Sequence, residues 1–381
     1  MSVISFLLIF SFIFTYVVSV GYFSNDILTI VLFLSSFILY YKSYPNARQN
    51  IQFASLILLL TLNYIFTDSG IGGLLNILTI FLFISSVNNS YWITERIIRY
   101  LSIVSLFCLI HFYSIYVSID TVNTNTLGLI SYYLILSIMP LFIVCRTLSG
   151  FRRFISFSIL IICSILAILI ILFSGCRSAL WGFMASIVMF LLITFKLLSN
   201  KLLNILTFCL VFGGGAYAAL NAYLFNNNIE ASFLSFLRSE EKDYVFSGRE
   251  AIWAELLELF YKSPIIGSGN HLTLMSFESV ACHNSVLAIT CLYGLPISLI
   301  IYISIWKITQ RILPITHNVL IRIFFCSFCS NMIVGFYEST IVDDFRFMTI
   351  LPLLMAIQLV NKEKHENSNP LHLHRQIQPL L

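Results

Sequence analysis

Apolar residues run through this chain in long blocks, separated by short polar breaks. Blocks of about 17–22 apolar residues match the hydrocarbon thickness of a bilayer when helical. Twelve such blocks occur, at 3–20, 26–42, 51–67, 71–87, 97–118, 127–146, 154–173, 178–196, 202–222, 284–306, 319–338 and 346–361. The pattern predicts an all-α, polytopic membrane protein of about twelve transmembrane helices. It divides into nine spans over 1–222, a polar outer loop at 223–283, three spans over 284–361 and a tail at 362–381. The chain opens on an apolar run without a basic leader, which predicts a retained first span rather than a cleaved signal.

Charge orients the bundle. With the N-terminus placed in the cytoplasm, fifteen of the 21 Lys and Arg residues fall in inner segments and six in outer ones. That is a positive-inside bias, carried mostly by short loops. Asp26, Asp68 and Asp120 fall on the outer side, and both termini are expected in the cytoplasm. Composition agrees with this picture: 59% of residues are hydrophobic and 10% charged, against about 25% charged in soluble domains. No soluble basic face exists for nucleic acid, so no nucleic-acid partner is expected. The nine cysteines sit mainly in apolar blocks. Cys326 and Cys329 have CxxC spacing but lie within a span without flanking ligands, so neither a metal nor a cofactor is expected.

Candidate chemistry gathers on the outer side. Arg177 stands between two spans, where an arginine costs about 2.5–3.5 kcal/mol at full depth. In the outer loop, Ser247 and Glu250 fit a capping box around Arg249. Ile252, Leu256, Leu259 and Phe260 then form one apolar face, predicting a short amphipathic helix that Lys262-Ser263-Pro264 ends. A tight turn carries Gly267 and Gly269, and His283-Asn284 immediately precede the next span. Each has a plainer explanation. Arg177 could snorkel to head groups, Arg249 could pair with Glu250 or Asp243, and His283 could cap a helix. Taken together, two guanidiniums suit a phosphate or diphosphate, and a neutral imidazole suits proton removal from a hydroxyl. Asp343, Asp344, Arg346 and the neighbouring Glu338 could contact sugar hydroxyls, but are expected to mark a solvated outer loop. Cys176 and Cys282 adjoin two candidate residues, and adjacency alone leaves a disulfide open.

Four pieces in order carry a resemblance: Ser174–Ala179, Gly248–Trp253, Ser263–Gly269 and His283–Asn284, with Asn123–Gly128 upstream. Over about residues 120–310 the chain resembles the O-antigen polymerase and O-antigen ligase superfamily. The resemblance implies a metal-independent membrane glycosyltransferase at the periplasmic face of a bacterial inner membrane. Its donor would be an undecaprenyl-diphosphate-linked oligosaccharide, with membrane lipid and a chain-length regulator protein as further partners. It implies that Arg177 and Arg249 hold the diphosphate, that His283 activates or orients the acceptor hydroxyl, and that Asn125, Asn284, Gly267 and Gly269 help bind substrate. The short stretch between Arg249 and His283 favours polymerase over ligase. A transporter or flippase for a lipid-linked or anionic solute is the remaining alternative, opposed by the lack of internal repeats and of mid-span charge.

Overall fold

The computed structural model describes residues 3–19, 25–43, 45–67, 70–86, 95–118, 124–141, 143, 145, 148–227, 249–269, 282–341 and 346–368. All regular structure among them is helical. In chain order the helices are α1 (Val3–Ser19), α2 (Asn25–Lys42), α3 (Ala47–Thr67), α4 (Ile71–Ser85), α5 (Glu95–Ser118), α6 (Thr124–Ile138) and α7 (Gly150–Ser174). They continue with α8 (Arg177–Thr194), α9 (Asn200–Asn226), α10 (Arg249–Lys262), α11 (Ser285–Tyr293), α12 (Leu295–Ile312), α13 (Val319–Val334) and α14 (Arg346–Ser368). Among the described residues, six stretches are long and apolar enough to cross a membrane: α2, α3, residues 97–114 of α5, α7, α8 and α9. Much of the outer loop, including Ser247, and the tail beyond 368 lie outside the described residues.

The block at 284–306 is where the expectation of one straight span fails. The chain turns at Gly294 instead, separating α11 from α12. Gly294 has φ 85° and ψ 163°, a conformation essentially restricted to glycine. The turn folds α11 back beside α12, so that Thr290 and Ser298 hydroxyls meet at 2.8 Å. The turn after α10 fills the corner: Ser268 and Gly269 donate backbone N–H bonds to the carbonyls of Cys291 and Leu292 at 2.8 and 2.9 Å. Asn63 of α3 donates to the Ile266 and Leu292 carbonyls at 2.6 and 3.1 Å. Irregular backbone thus occurs where protein groups satisfy it, as an apolar surrounding requires. A side chain at Gly294 would press on the Ile265 carbonyl. Gly294→Ala is therefore expected to cost ~2 kcal/mol or more, the usual strain of about 1–3 kcal/mol plus the clash. A lowered melting temperature of the purified protein in detergent would register it.

Helix α9 runs antiparallel to α12. The pairs Asn204–Gln310 (2.6 Å), Phe208–Trp306 (5.8 Å between rings) and Phe212–Tyr302 (6.4 Å) mark the register. With 27 residues, α9 is ~40 Å long, and a hydrocarbon core is ~30 Å. Its last turns therefore extend past the bundle, and α10 packs along them through Ala218, Ala222, Ile252, Trp253 and Leu256. The bundle has two distinguishable polar ends. At one, Arg322 donates to Thr194 at 2.8 Å and Glu363 meets His317 at 3.3 Å. At the other lie the starts of α8, α10 and α11 and the residues following α13.

Candidate functional site

At that second end, three segments distant in sequence converge on one carboxylate. Arg249, the first residue of α10, donates from Nη2 to Glu338 Oε1 at 2.9 Å. His283 Nδ1 lies 3.2 Å from Glu338 Oε2. Ser178, in the first turn of α8, donates to Glu338 Oε1 at 3.1 Å. The side chains are part-buried, 21% exposed at Arg249, 15% at Glu338 and 31% at His283. This is enough cover to strengthen the ion pair and enough access for a ligand.

Local structure explains each placement. The chain leaves α13 in a tight turn, with Glu338 N–H bonded to the Val334 carbonyl at 2.9 Å. Ser285 clamps that turn from the side. Its N–H bonds the Gly335 carbonyl at 2.8 Å, and its hydroxyl donates to the Glu338 carbonyl at 3.0 Å. Asn284 is wholly buried and caps α11 by accepting from Leu287 N–H at 2.9 Å. Its amide also donates to the carbonyls of Gly214 and Phe336 at 2.9 and 3.1 Å. His283 precedes this anchor with φ 47°, a left-handed conformation that costs a non-glycine residue free energy and often marks functional positions. From the other side, buried Trp253 of α10 donates its indole N–H to the Cys282 carbonyl at 3.0 Å. One helix therefore carries Arg249 and also holds the residue before His283.

Electrostatics set the charge on Glu338. Burial alone pushes the Glu338 carboxyl up, but the His283 hydrogen bond, the Arg249 charge and the Ser178 hydroxyl outweigh it, and it titrates below its ordinary value. An ionised carboxylate only accepts, so Nδ1 of a neutral His283 carries the proton and Nε2 presents its lone pair. Because the folded-state pKa is depressed, the stabilisation is complete above the ordinary carboxylate value and is lost as pH falls through the folded value. Glu338→Gln is accordingly expected to melt below wild type at pH 7, with the difference shrinking as pH falls below the carboxylate range. Melting curves in detergent across that range check it.

The residues singled out in the sequence separate into groups. Arg249 and His283 meet at Glu338. Arg177 is exposed at the start of α8, next to Ser178, so its helix begins at the cluster. Asn125 is exposed in the first turn of α6. That turn lies beside the α7–α8 connection, since a side chain at Gly128 would strike Ser174 and Cys176. Asn284 spends its amide on protein groups, and Gly267 and Gly269 pack at the far end of α11, a helix of nine residues or ~13 Å. Cys176 and Cys282 are separate buried thiols. Arg346 is 2% exposed and donates to Thr29 at 2.8 Å, so it belongs to the packed interior instead of a solvated loop. Glu338, expected to mark the same solvated loop, is the hub of the site. Among the described residues no group of three His, Cys, Asp or Glu is arranged to hold a metal ion.

The fold and site define a class: a polytopic all-helical membrane protein with an Arg–Glu–His cluster at one end of its bundle. A family model described as O-Antigen ligase matches residues 161–302. Over that segment, which is under half of the chain, the sequence is similar to the O-antigen polymerase and ligase superfamily. The matched segment contains Arg177, Arg249 and His283 and ends before Glu338. A search of curated proteins finds no match.

Proposed function

We propose that the chain is an O-antigen polymerase, joining undecaprenyl-diphosphate-linked oligosaccharide units at the periplasmic face of the inner membrane. The observation that carries this reading is the convergence of Arg249, His283 and Ser178 on Glu338. The lysine and arginine bias favours the cluster facing outward. In the proposed reaction an acceptor sugar hydroxyl attacks the anomeric carbon of the donor. Its proton passes to His283 Nε2 as the new C–O bond forms. The bond from the anomeric carbon to the diphosphate oxygen breaks, and the electron pair leaves with the diphosphate. Arg177 and Arg249 stabilise that leaving anion by charge-assisted hydrogen bonds, each worth about 1.5–3 kcal/mol. Single-step displacement inverts the anomeric configuration.

Glu338 has two tasks here. It fixes the histidine tautomer, and it holds Arg249 at the cluster until an anionic donor competes for the guanidinium. A ligase transferring the same glycan to lipid A-core is the second reading, favoured by the description of the matching family model. Deleting the gene tells them apart. Lipopolysaccharide carrying one repeat unit is the expected result for the polymerase. Lipopolysaccharide without O-antigen, with polymer accumulating on the lipid carrier, would establish the ligase instead.

A further inference from the structure

Two donors share one oxygen of the Glu338 carboxylate, and one of them has other work in the proposed reaction. Arg249 Nη2 reaches Oε1 at 2.9 Å, and the Ser178 hydroxyl reaches the same atom at 3.1 Å. His283 Nδ1 takes Oε2 at 3.2 Å. When a diphosphate arrives, Arg249 has to turn toward it. A carboxylate only 15% exposed then loses its guanidinium, and a covered charge stripped of its partner is costly.

Ser178 is fixed independently of Arg249. It is 8% exposed in the first turn of α8, and the segment ahead of it is tied down. Ser174 donates to the Ile171 carbonyl at 2.9 Å and accepts the N–H of Cys176 at 3.3 Å. The Cys176 thiol lies 3.4 Å from the Ser178 hydroxyl. A serine hydroxyl has one proton, and here it goes to a carboxylate that can only accept, so the thiol donates to Ser178. Burial pushes that thiol above its ordinary value and keeps it protonated. A hydroxyl that accepts one bond while donating another is polarised into a stronger donor. None of these groups comes from α10, so a movement of Arg249 leaves them in place.

We propose that Ser178 is a positioning residue for the donor-bound state: its hydroxyl keeps Oε1 engaged, and Glu338 aimed at His283, once the diphosphate has drawn Arg249 away, a role that rests on the reading of Arg249 as a ligand of the donor. Diphosphate binding then includes the cost of parting Arg249 from Glu338, and Ser178 lowers that cost without touching the diphosphate. The serine therefore matters to binding only while there is a guanidinium to part.

Native mass spectrometry of the full chain in detergent, titrated with undecaprenyl diphosphate, tests this by a double-mutant cycle. Ser178→Ala removes one oxygen at a helical position that alanine favours, so it is expected to melt like wild type. Its affinity is expected to be about tenfold weaker, the scale of a hydrogen bond to a charged group. Ser178→Thr, which keeps the hydroxyl, is expected to bind within about twofold of wild type. In an Arg249→Ala background, Ser178→Ala is expected to change affinity by less than about twofold. Wild-type affinity in Ser178→Ala would overturn the inference, because Arg249 would then serve both anions at once. A loss of equal size in both backgrounds would also overturn it, making Ser178 a direct ligand or a purely structural residue. Wild-type affinity in Arg249→Ala alone is a different failure: it would remove the diphosphate role of Arg249 from the proposed function, and the handover with it.

Discussion

His283→Ala is expected to abolish detectable polymer while leaving the protein in the membrane at its normal level. General-base catalysis contributes about 10²–10⁴-fold, and a loss of that size would take polymer below what a glycan ladder reveals. The side chain is 31% exposed and pairs with Glu338, so truncation removes no core packing. Asn284 still caps α11 through Leu287, and Trp253 still binds the Cys282 carbonyl. The backbone that presents His283 therefore survives its removal. Turnover should fall with little change in donor affinity, since the arginines remain. Quantified glycan ladders and membrane protein levels from complemented deletion strains provide the check.

Glu338→Gln is the second large effect. Replacing the carboxylate by an amide removes the charge that pairs with Arg249 and the acceptor that fixes Nδ1 of His283. A glutamine can donate to Nδ1 as readily as it accepts, which permits the tautomer with Nε2 protonated and unable to take a proton. Losing the orienting carboxylate of a histidine dyad costs up to ~10⁴-fold in the serine-protease case. A decrease of about 10²-fold or more in turnover is expected here. Glu338→Asp, which keeps charge and acceptor on a shorter arm, is expected to recover part of it. If Glu338 were only a structural tie for the turn after α13, Gln and Asp would fare alike, because Ser285 already holds the Glu338 backbone.

The limits of the sequence reading have physical causes. Arg177, Arg249 and His283 could be picked out because cations and an imidazole at the outer ends of apolar runs are costly or chemically useful, and charge bias put them on one side. Glu338 was passed over because an acidic residue beside Asp343 and Asp344 looks like part of a solvated loop. The available signal was its position: it closes the 319–338 block instead of lying beyond it, and a carboxylate at such an edge requires cationic company. The turn at Gly294 was missed because mean hydropathy is blind to backbone direction. Tyr293-Gly294-Leu295-Pro296 does carry a glycine followed two residues later by a proline, a breaker pattern inside an apolar run. Gly267 and Gly269, expected to help bind substrate, permit a close backbone approach. What approaches is the end of α11, through Cys291 and Leu292. Asn284 likewise served as the boundary of a span, and its buried amide is committed to Gly214 and Phe336.

Glycosyl transfer from a lipid-linked diphosphate by the Glu338-centred cluster is tested most directly by an assay with purified protein. Wild type and the Arg177→Ala, Arg249→Ala and His283→Ala variants, each verified as folded, are incubated with undecaprenyl-diphosphate-linked repeat units, and products are sized by mass spectrometry. The predicted result is lipid-linked oligomers of two or more repeats, with release of undecaprenyl diphosphate, from wild type, and rates reduced at least about tenfold in every variant. Wild-type rates from all three variants would contradict it.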